Sequence, residues 1–305
     1  MARDAVPTPG PGEAVLEAVC SAVSVGTERM WLDGSATALR SGRRSYPYRP
    51  GYALVGRIAE TGAGFGVSRG ARVFAMKPHG SHALLRHDDL WLPLSDDTGD
   101  DDALAIALTA TALHAVARAN LRPGDAAAVA GLGLLGLLLI QVLAATVAGP
   151  VVALTGSPAK LGAARAHGAT LALRHDEPAG RLGELPPIRA WFECSGVAAN
   201  VGRLMPLVRA RGEIVLAGFY TETLALDGEA MFAGELTVKA VRSIGDGAER
   251  AANLRRAASL IASGQVRMPL VPAQRFAAED FAAAYGLIAD RDRSRATMRV
   301  VLEWR

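Results

Sequence analysis

Residues 126–157 read AAAVAGLGLLGLLLIQVLAATVAGPVVALTGS, and their order decides the fold. Ala126–Ala130 fits a short buried strand. It runs into glycines at 131, 133 and 136, then an apolar helix, then a second buried strand over Val151–Leu154. Strand, glycines, helix, strand is the pattern of a dinucleotide-binding unit. Gly131 allows the tight turn, Gly133 lets the backbone approach a pyrophosphate, and Gly136 lets the helix sit close on the sheet. Exposed amides at the helix start, from Leu134 and Leu135, would hold the phosphates. A charge-free run of this length could also be a membrane span. Gly149-Pro150 breaks it, however, the flanking strands stand at βαβ spacing, and nothing else resembles a second span. A buried βαβ unit without a ligand stays the plain alternative.

Downstream, helix and strand patterns alternate: a helix over Pro158–His167, strands at Thr170–Leu173, Ala190–Cys194, Glu213–Ala217 and Thr237–Val241, and a helix over Gly196–Val208. Such alternation predicts a doubly wound parallel sheet. Upstream, Ala14–Cys20, Ala53–Glu60, Arg72–Met76 and Leu90–Leu94 read as short strands without intervening helices, which predicts a small β-rich domain. Ser21–Glu28 reads as a loop, and the segment to about Tyr48 as a surface excursion. A helical period covers Asp101–Arg118. A helix over Ala278–Ala289 and a strand over Thr297–Glu303 close the chain and return to the β-rich domain. The expected division is residues 1–118 with 266–305, and 119–265.

The composition excludes several classes. With 305 residues, half of them hydrophobic, the chain can bury a large core and has no signature of disorder. Its net charge of +3 comes from scattered arginines rather than a basic block, so no nucleic-acid partner is expected. The acidic run Asp96–Asp102 reads as a solvated loop. Cys20 and Cys194 are too few and too far apart for a disulfide framework or a metal cluster, which suits a reducing cytosol. The first residues hold no apolar signal region, so a cytoplasmic protein without a membrane partner is expected.

Taken together, the PGY-x-x-x-G strand from Pro50, the Thr111-Ala112 pair in a helix, GLGLLG and the returning tail resemble the medium-chain dehydrogenase/reductase superfamily. Pro9–Val15, Gly70-Ala71-Arg72-Val73 and Gly212-Glu213-Ile214-Val215 support this. Ser24–Glu28, Pro50-Gly51-Tyr52 and Arg211–Tyr220 further resemble the bacteriochlorophyllide dehydrogenase type, which oxidises a hydroxyethyl side chain on a chlorin ring. The resemblance implies a Rossmann domain plus a β-rich, GroES-like catalytic domain. It also implies a homodimer paired through the strand near Thr237–Val241. Zinc members of the superfamily carry a Cys in the first loop, His-Glu after Pro-Gly, and a Cys or acid before the Thr-Ala pair. Here Ser24, Tyr52-Ala53 and about Ala107 stand there, none a good ligand, and the four-cysteine structural lobe is missing. A zinc-independent enzyme is expected.

An acid at the end of the second Rossmann strand would bind the ribose of NAD and repel a 2′-phosphate. Thr155-Gly156-Ser157 stands there instead, with Lys160 a turn on and Arg165 beyond, so NADPH or NADP is favoured over NAD. Ser157 could equally cap the helix from Pro158. The resemblance places Cys194-Ser195, Gly218-Phe219 and Thr111 near the nicotinamide. Read plainly, Cys194 is a small buried residue and Thr111 a helix residue.

Hydride transfer at a carbonyl needs a group that supplies or removes a proton. Tyr52, Ser24, Thr27 and Glu28 are the candidates, with His79 and His82 of KPHGSH beside Lys77 as a further pair. Tyr52 could instead be a packed aromatic, and Glu28 a loop anchor. The functional expectation is a zinc-independent NADP(H) oxidoreductase interconverting a secondary alcohol and a ketone. The alternatives are reduction of an activated C=C bond, or a cofactor-binding protein without catalysis. An aromatic content of 5% offers no evident stacking platform, so a small-molecule substrate is expected without its identity.

Overall fold

The structure is a computed structural model that describes residues 4–177, 184–269, 271–290 and 299–304. Its contacts divide the chain into residues 1–107 with 271–305, and residues 108–270.

The first unit is built on one antiparallel-dominated sheet. β1 (Glu13–Val23), β2 (Leu54–Thr61), β3 (Arg72–Ala75) and β5 (Trp91–Pro93) follow one another across it. β4 (His82–Arg86) also pairs with β1. On the other side of β1 the returning tail adds β13 (Arg299–Glu303) and then β12 (Ala273–Ala277), which runs parallel to β13. Leu16, Leu54, Ile58, Val73 and Leu85 are almost fully buried in its core.

Two short helices, α1 (Val25–Leu32) and α2 (Thr37–Arg40), fill the excursion between β1 and β2. The sequence reading of Ser21–Glu28 as a loop is corrected here. Ser24 is the N-cap of α1, and its backbone N–H donates to Glu28 Oε1 at 2.7 Å. This resembles a capping box shifted by one residue, a carboxylate satisfying the N-cap amide. The single helix expected over Asp101–Arg118 is two, α3 (Asp100–Leu104) and α4 (Ile106–Arg118). The acidic run is not a solvated loop throughout: Asp100–Asp102 form the first turn of α3, where carboxylates face the positive helix end. Asp100 pairs with Arg72, and Asp101 with both Arg275 and Arg299.

The second unit is a six-stranded, all-parallel sheet. Its strands are β6 (Ala126–Ala130), β7 (Val151–Thr155), β8 (Leu171–Arg174), β9 (Ile188–Glu193), β10 (Val208–Leu216) and β11 (Thr237–Ala240), in the order β11-β10-β9-β6-β7-β8. This is the doubly wound arrangement that the alternation predicts, with a reversal of strand order beside β6. α5 (Leu134–Thr146) and α6 (Leu161–Ala166) precede β8. α7 (Ala198–Leu204) and α8 (Gly228–Gly234) flank β10, and α9 (Ala248–Ala262) follows β11. The first unit's α10 (Phe281–Ala289) belongs to the tail.

α5 shows why the opening stretch carries no charge. Residues Gly136–Leu143 are all buried, so these two turns of the helix have no solvent face to decorate. Among the described residues no helix is long and apolar enough to cross a membrane. Of the strand expected over Thr297–Glu303, Thr297 and Met298 lie outside the described residues.

Candidate active site

The second unit builds a cradle from backbone. Gly131 has φ +89, and a Cβ there would lie 2.4 Å from the Ser195 amide nitrogen. Only glycine combines that left-handed turn with that approach. A Cβ on Gly136 would lie 2.1 Å from the carbonyl oxygen of Gly131, so the helix can sit this close to the turn only without a side chain. Gly133 differs: nothing lies within 4 Å of its missing Cβ, and it is the N-cap of α5 with no side-chain cap. The amides of Leu134 and Leu135 thus start a thirteen-residue helix beside open space, which fits a phosphate group.

At the end of β7, Thr155 is buried and its hydroxyl accepts from Ser157 N at 3.1 Å. Ser157 precedes the 3-10 turn Pro158–Lys160, but its side chain makes no capping bond. The capping alternative is therefore not what holds it. The Lys160 ammonium is partly buried, which lowers its pKa. No carboxylate occupies Thr155–Ser157, and the His175 ring lies against Gly156, a neighbour the sequence does not flag.

Beyond β9 lies a knot of hydrogen bonds. Glu193 is fully buried. Its carboxylate accepts from Ser195 N at 3.1 Å, Gly196 N at 3.3 Å, the Ser195 hydroxyl and the Tyr220 phenol. Burial, and then Glu193, drive the Tyr220 pKa upward. Gly218 lies against this knot, where a Cβ would come within 2.7 Å of Gly196 N. Phe219 is 42% exposed. The Cys194 thiol is pushed up by burial and again by Glu193, so it stays a thiol. Thr111 lies half-buried on α4. Tyr220 ends the Ala217–Tyr220 stretch that the resemblance puts along the nicotinamide, whereas Glu193 is not singled out by the glycine spacing.

The first unit builds its cluster from side chains. The Tyr52 phenol donates to Ser24 Oγ at 2.7 Å and is hydrogen-bonded to the Thr27 hydroxyl as well. Its pKa is raised, chiefly by burial and further by Glu28, against the opposing pull of those two hydroxyls. Tyr52 thus remains a proton carrier through neutral pH. Glu28 is 1% exposed and lies behind Ser24. Besides Ser24 N it accepts from the Tyr285 phenol, and its Oε2 lies 3.1 Å from His79 Nε2. His79 Nδ1 meets Ser21 Oγ at 2.8 Å, and Ser21 Oγ also accepts from Trp304 Nε1 at 2.9 Å.

The structure therefore brings Tyr52, Ser24, Thr27 and Glu28 together with His79, one of the candidate histidine pair, and adds Tyr285, Ser21 and Trp304. His82 is elsewhere: it lies on β4 opposite Glu17, with its Nδ1 3.2 Å from Ser81 Oγ. Gly51 explains why His79 rather than His82 joins. At φ +98, a Cβ on Gly51 would lie 2.6 Å from His79 N, and that amide donates to Pro50 O at 2.9 Å. The Pro-Gly-Tyr turn is a seat for His79. A signal existed in the sequence, since Gly51 and His79 belong to the two stretches already singled out, but nothing in their spacing joins them.

Comparison with known proteins agrees with this build. Residues 135–262 match the family model of the zinc-binding dehydrogenases. The 2-desacetyl-2-hydroxyethyl bacteriochlorophyllide A dehydrogenase of Cereibacter sphaeroides is 29% identical over 235 residues, 71% of this chain and 69% of that protein. The homologue of the same description from Rhodobacter capsulatus is 25% identical and covers 97% of this chain and 92% of its own length. The chain resembles the medium-chain dehydrogenase/reductase superfamily, in its cofactor half by family model and over most of its length by its relatives. Among solved members of this fold, galactitol-1-phosphate dehydrogenase from Escherichia coli superposes with a TM-score of 0.82 at 20% identity, covering 99% of this chain and 96% of that one. A Sinorhizobium meliloti 1021 protein solved with NADP gives 0.81 at 22%, covering 98% and 94%. Within the superfamily the chain resembles the bacteriochlorophyllide dehydrogenase type, and it is an oxidoreductase of the dehydrogenase kind.

Proposed function

We propose that the protein is a zinc-independent, NADP(H)-dependent oxidoreductase that interconverts a secondary alcohol and a ketone. The observation that carries the reading is the 2.7 Å hydrogen bond from the Tyr52 phenol to Ser24 Oγ, held over a buried carboxylate.

A catalytic zinc takes about three protein ligands from Cys, His and carboxylate. At the corresponding positions Ser24 and Tyr52 bond each other, and Ala107 has no donor atom. Glu28 and His79 are already bonded to each other, and among the described residues no group of three or more His, Cys, Asp or Glu could hold a metal. This donor set does not fit zinc.

The nicotinamide cofactor fits the cradle: Leu134 and Leu135 amides for phosphate, and Thr155, Ser157 and Lys160 without a carboxylate for a 2′-phosphate. When bound, it supplies or takes the hydride. In the reducing direction, the Ser24 hydroxyl accepts from Tyr52 and so has its own proton to give to the substrate oxygen. Tyr52 then re-protonates Ser24, and bulk water restores the phenol. In the oxidising direction the same two hydroxyls carry the proton outward. Glu28 fixes the start of α1, and with it Ser24. Relatives that are dehydrogenases of a hydroxyethyl compound and of a butanediol, the latter from Bacillus subtilis, support carbinol chemistry over C=C reduction. β11 is an edge strand of the parallel sheet, which supports a homodimer paired along it.

The test is turnover of matched methyl ketones and enones with deuterated NADPH, followed by product analysis. Deuterium on a carbinol carbon, with NADPH preferred to NADH, is the expected result. Deuterium on the enone β-carbon alone, or equal use of NADH, would overturn the reading.

A further inference from the structure

The Glu193 carboxylate is surrounded by neutral donors only. Ser195 N, Gly196 N, the Ser195 hydroxyl and the Tyr220 phenol all point to it. The direction of the hydroxyl bond is fixed. Ser195 Oγ already accepts from Val197 N and Asn200 Nδ2, each at 3.1 Å, so it gives its own hydrogen to Glu193. Glu193 is 0% exposed, and among the described residues no Lys, Arg or His forms an ion pair with it. Buried charges are ordinarily paired, and this one lacks a cation. Its field reaches its neighbours: after burial, Glu193 is the group that pushes the Cys194 thiol and the Tyr220 phenol upward.

The sheet puts that charge at a particular place. Glu193 is the last residue of β9, in register with Ala130 at the end of β6 and Leu216 at the end of β10. β6 and β9 are neighbours where the strand order reverses, and a dinucleotide lies across the carboxyl ends of the strands at such a point, one nucleotide to each half of the sheet. Thr155–Lys160 belongs to the β6–β8 half, proposed above for the 2′-phosphate, so the nicotinamide nucleotide falls to the half that begins at Glu193. Three loops close over the carboxylate. The Gly131 turn packs on Ser195 N, Gly196 packs on Phe219 O, and Gly218 N donates to the Glu193 backbone carbonyl at 2.7 Å.

The nicotinamide changes charge during turnover. Giving a hydride to a ketone carries two electrons to the carbonyl carbon and takes the ring from neutral to a cation, while the ketone oxygen gains the proton supplied as proposed above. Resting on the nicotinamide reading, we infer that Glu193 is the counter-charge of the oxidised cofactor: its buried carboxylate favours bound NADP+ over bound NADPH. Neutral dipoles that merely hold the ring in place serve both forms, whereas a fixed negative charge in a dry site separates them. The bound pair is thereby a stronger hydride donor, and the equilibrium within the site shifts towards ketone reduction. Glu193 acts through its field, without contact to the substrate.

The experiment measures the Kd of NADP+ and of NADPH by calorimetry, without substrate, in wild type, Glu193→Gln and Tyr220→Phe. The readout is the ratio of the NADPH Kd to the NADP+ Kd. Damage to loop packing weakens both forms alike and leaves the ratio, whereas loss of the charge moves it. Glu193→Gln is expected to lower the ratio about tenfold, the order set by one unit charge acting on another at an effective dielectric of about 20. Tyr220→Phe keeps the charge and removes a donor that spreads it, so its ratio should rise. Circular dichroism checks that each variant is folded. If Glu193→Gln does not fold, Tyr220→Phe carries the test, and a ratio that fails to rise overturns the inference. Both forms bound with a ratio indifferent to Glu193→Gln would overturn the counter-charge and leave the cofactor reading standing. Binding of neither form would sink both. The expected shift with NAD+ and NADH, without binding of the phosphorylated pair, would keep the counter-charge and sink the NADP preference.

Discussion

The proposed cofactor cradle and the proposed proton cluster are built by opposite means. The cradle is made of absences: Gly131, Gly133 and Gly136 remove side chains so that backbone amides can act, and all three fall within six consecutive residues. The cluster is made of side chains drawn from β1, α1, the Pro50–Tyr52 turn, the loop before β4, α10 and the tail. The bond from Tyr285 to Glu28 alone spans 257 residues. One site depends on local chain geometry and the other on the packing of the whole first unit. Substitutions in the two should therefore fail in different ways.

The sharpest separation comes from Tyr52→Phe. Removing a positioned proton carrier costs on the order of 100-fold or more in kcat, while cofactor affinity, measured by NADPH fluorescence, should stay at the parental value. A kcat within about twofold of the parent would remove Tyr52 from the proton path. Next in size is Gly136→Val, which forces a side chain to within 2.1 Å of the Gly131 carbonyl oxygen. The expected outcome is a stability loss of about 2 kcal/mol from overpacking, read by thermal melting, together with a large rise in the NADPH Kd. Unchanged binding would break the claim that the cradle is a matter of close approach.

Glu28→Gln tests the cluster from behind. A carboxylate offers two acceptor oxygens and an amide offers one, so one donor among Ser24 N, the Tyr285 phenol and His79 is left without its partner. A loss of about 1.5 to 3 kcal/mol in stability and a lower kcat follow, with NADPH affinity kept.

The smallest expected effect is at Lys160. Burial lowers its pKa, so its neutral form is more accessible than that of an ordinary lysine. A 2′-phosphate favours the charged form. Preference for NADPH over NADH should then fall as pH rises through a range that begins below the ordinary lysine value near 10.5. Lys160→Ala should lower the preference about tenfold and flatten that dependence. A preference that rises with pH would contradict the assignment.

The same contrast explains what could be read from the sequence. The six Rossmann strands follow from apolar runs between glycines and helices, and β6 falls where the alternation predicts it, at Ala126–Ala130. Ser24, Thr27, Glu28 and Tyr52 could be named because they lie in short motifs. Their partners Ser21, Tyr285 and Trp304 could not be, and nothing in KPHGSH says which of its two candidate histidines joins them. His79 joins through the left-handed Gly51, and Trp304 through a hydrogen bond to Ser21, so both depend on how sheet and tail close. His82 sits three residues from His79 in sequence, but β4 carries it to a place opposite Glu17. Helix α1 was hidden by its length of eight residues and by a capping carboxylate placed one position beyond the usual box.

Trp304 has a practical consequence. Its backbone amide donates to Val19 O at 3.0 Å, and its indole to Ser21, which touches His79. In the proposed site the tail is therefore a support of His79 rather than packaging. A variant that lost the Trp304 indole would lose a support of the His79 imidazole, behind the hydroxyls proposed to carry the proton.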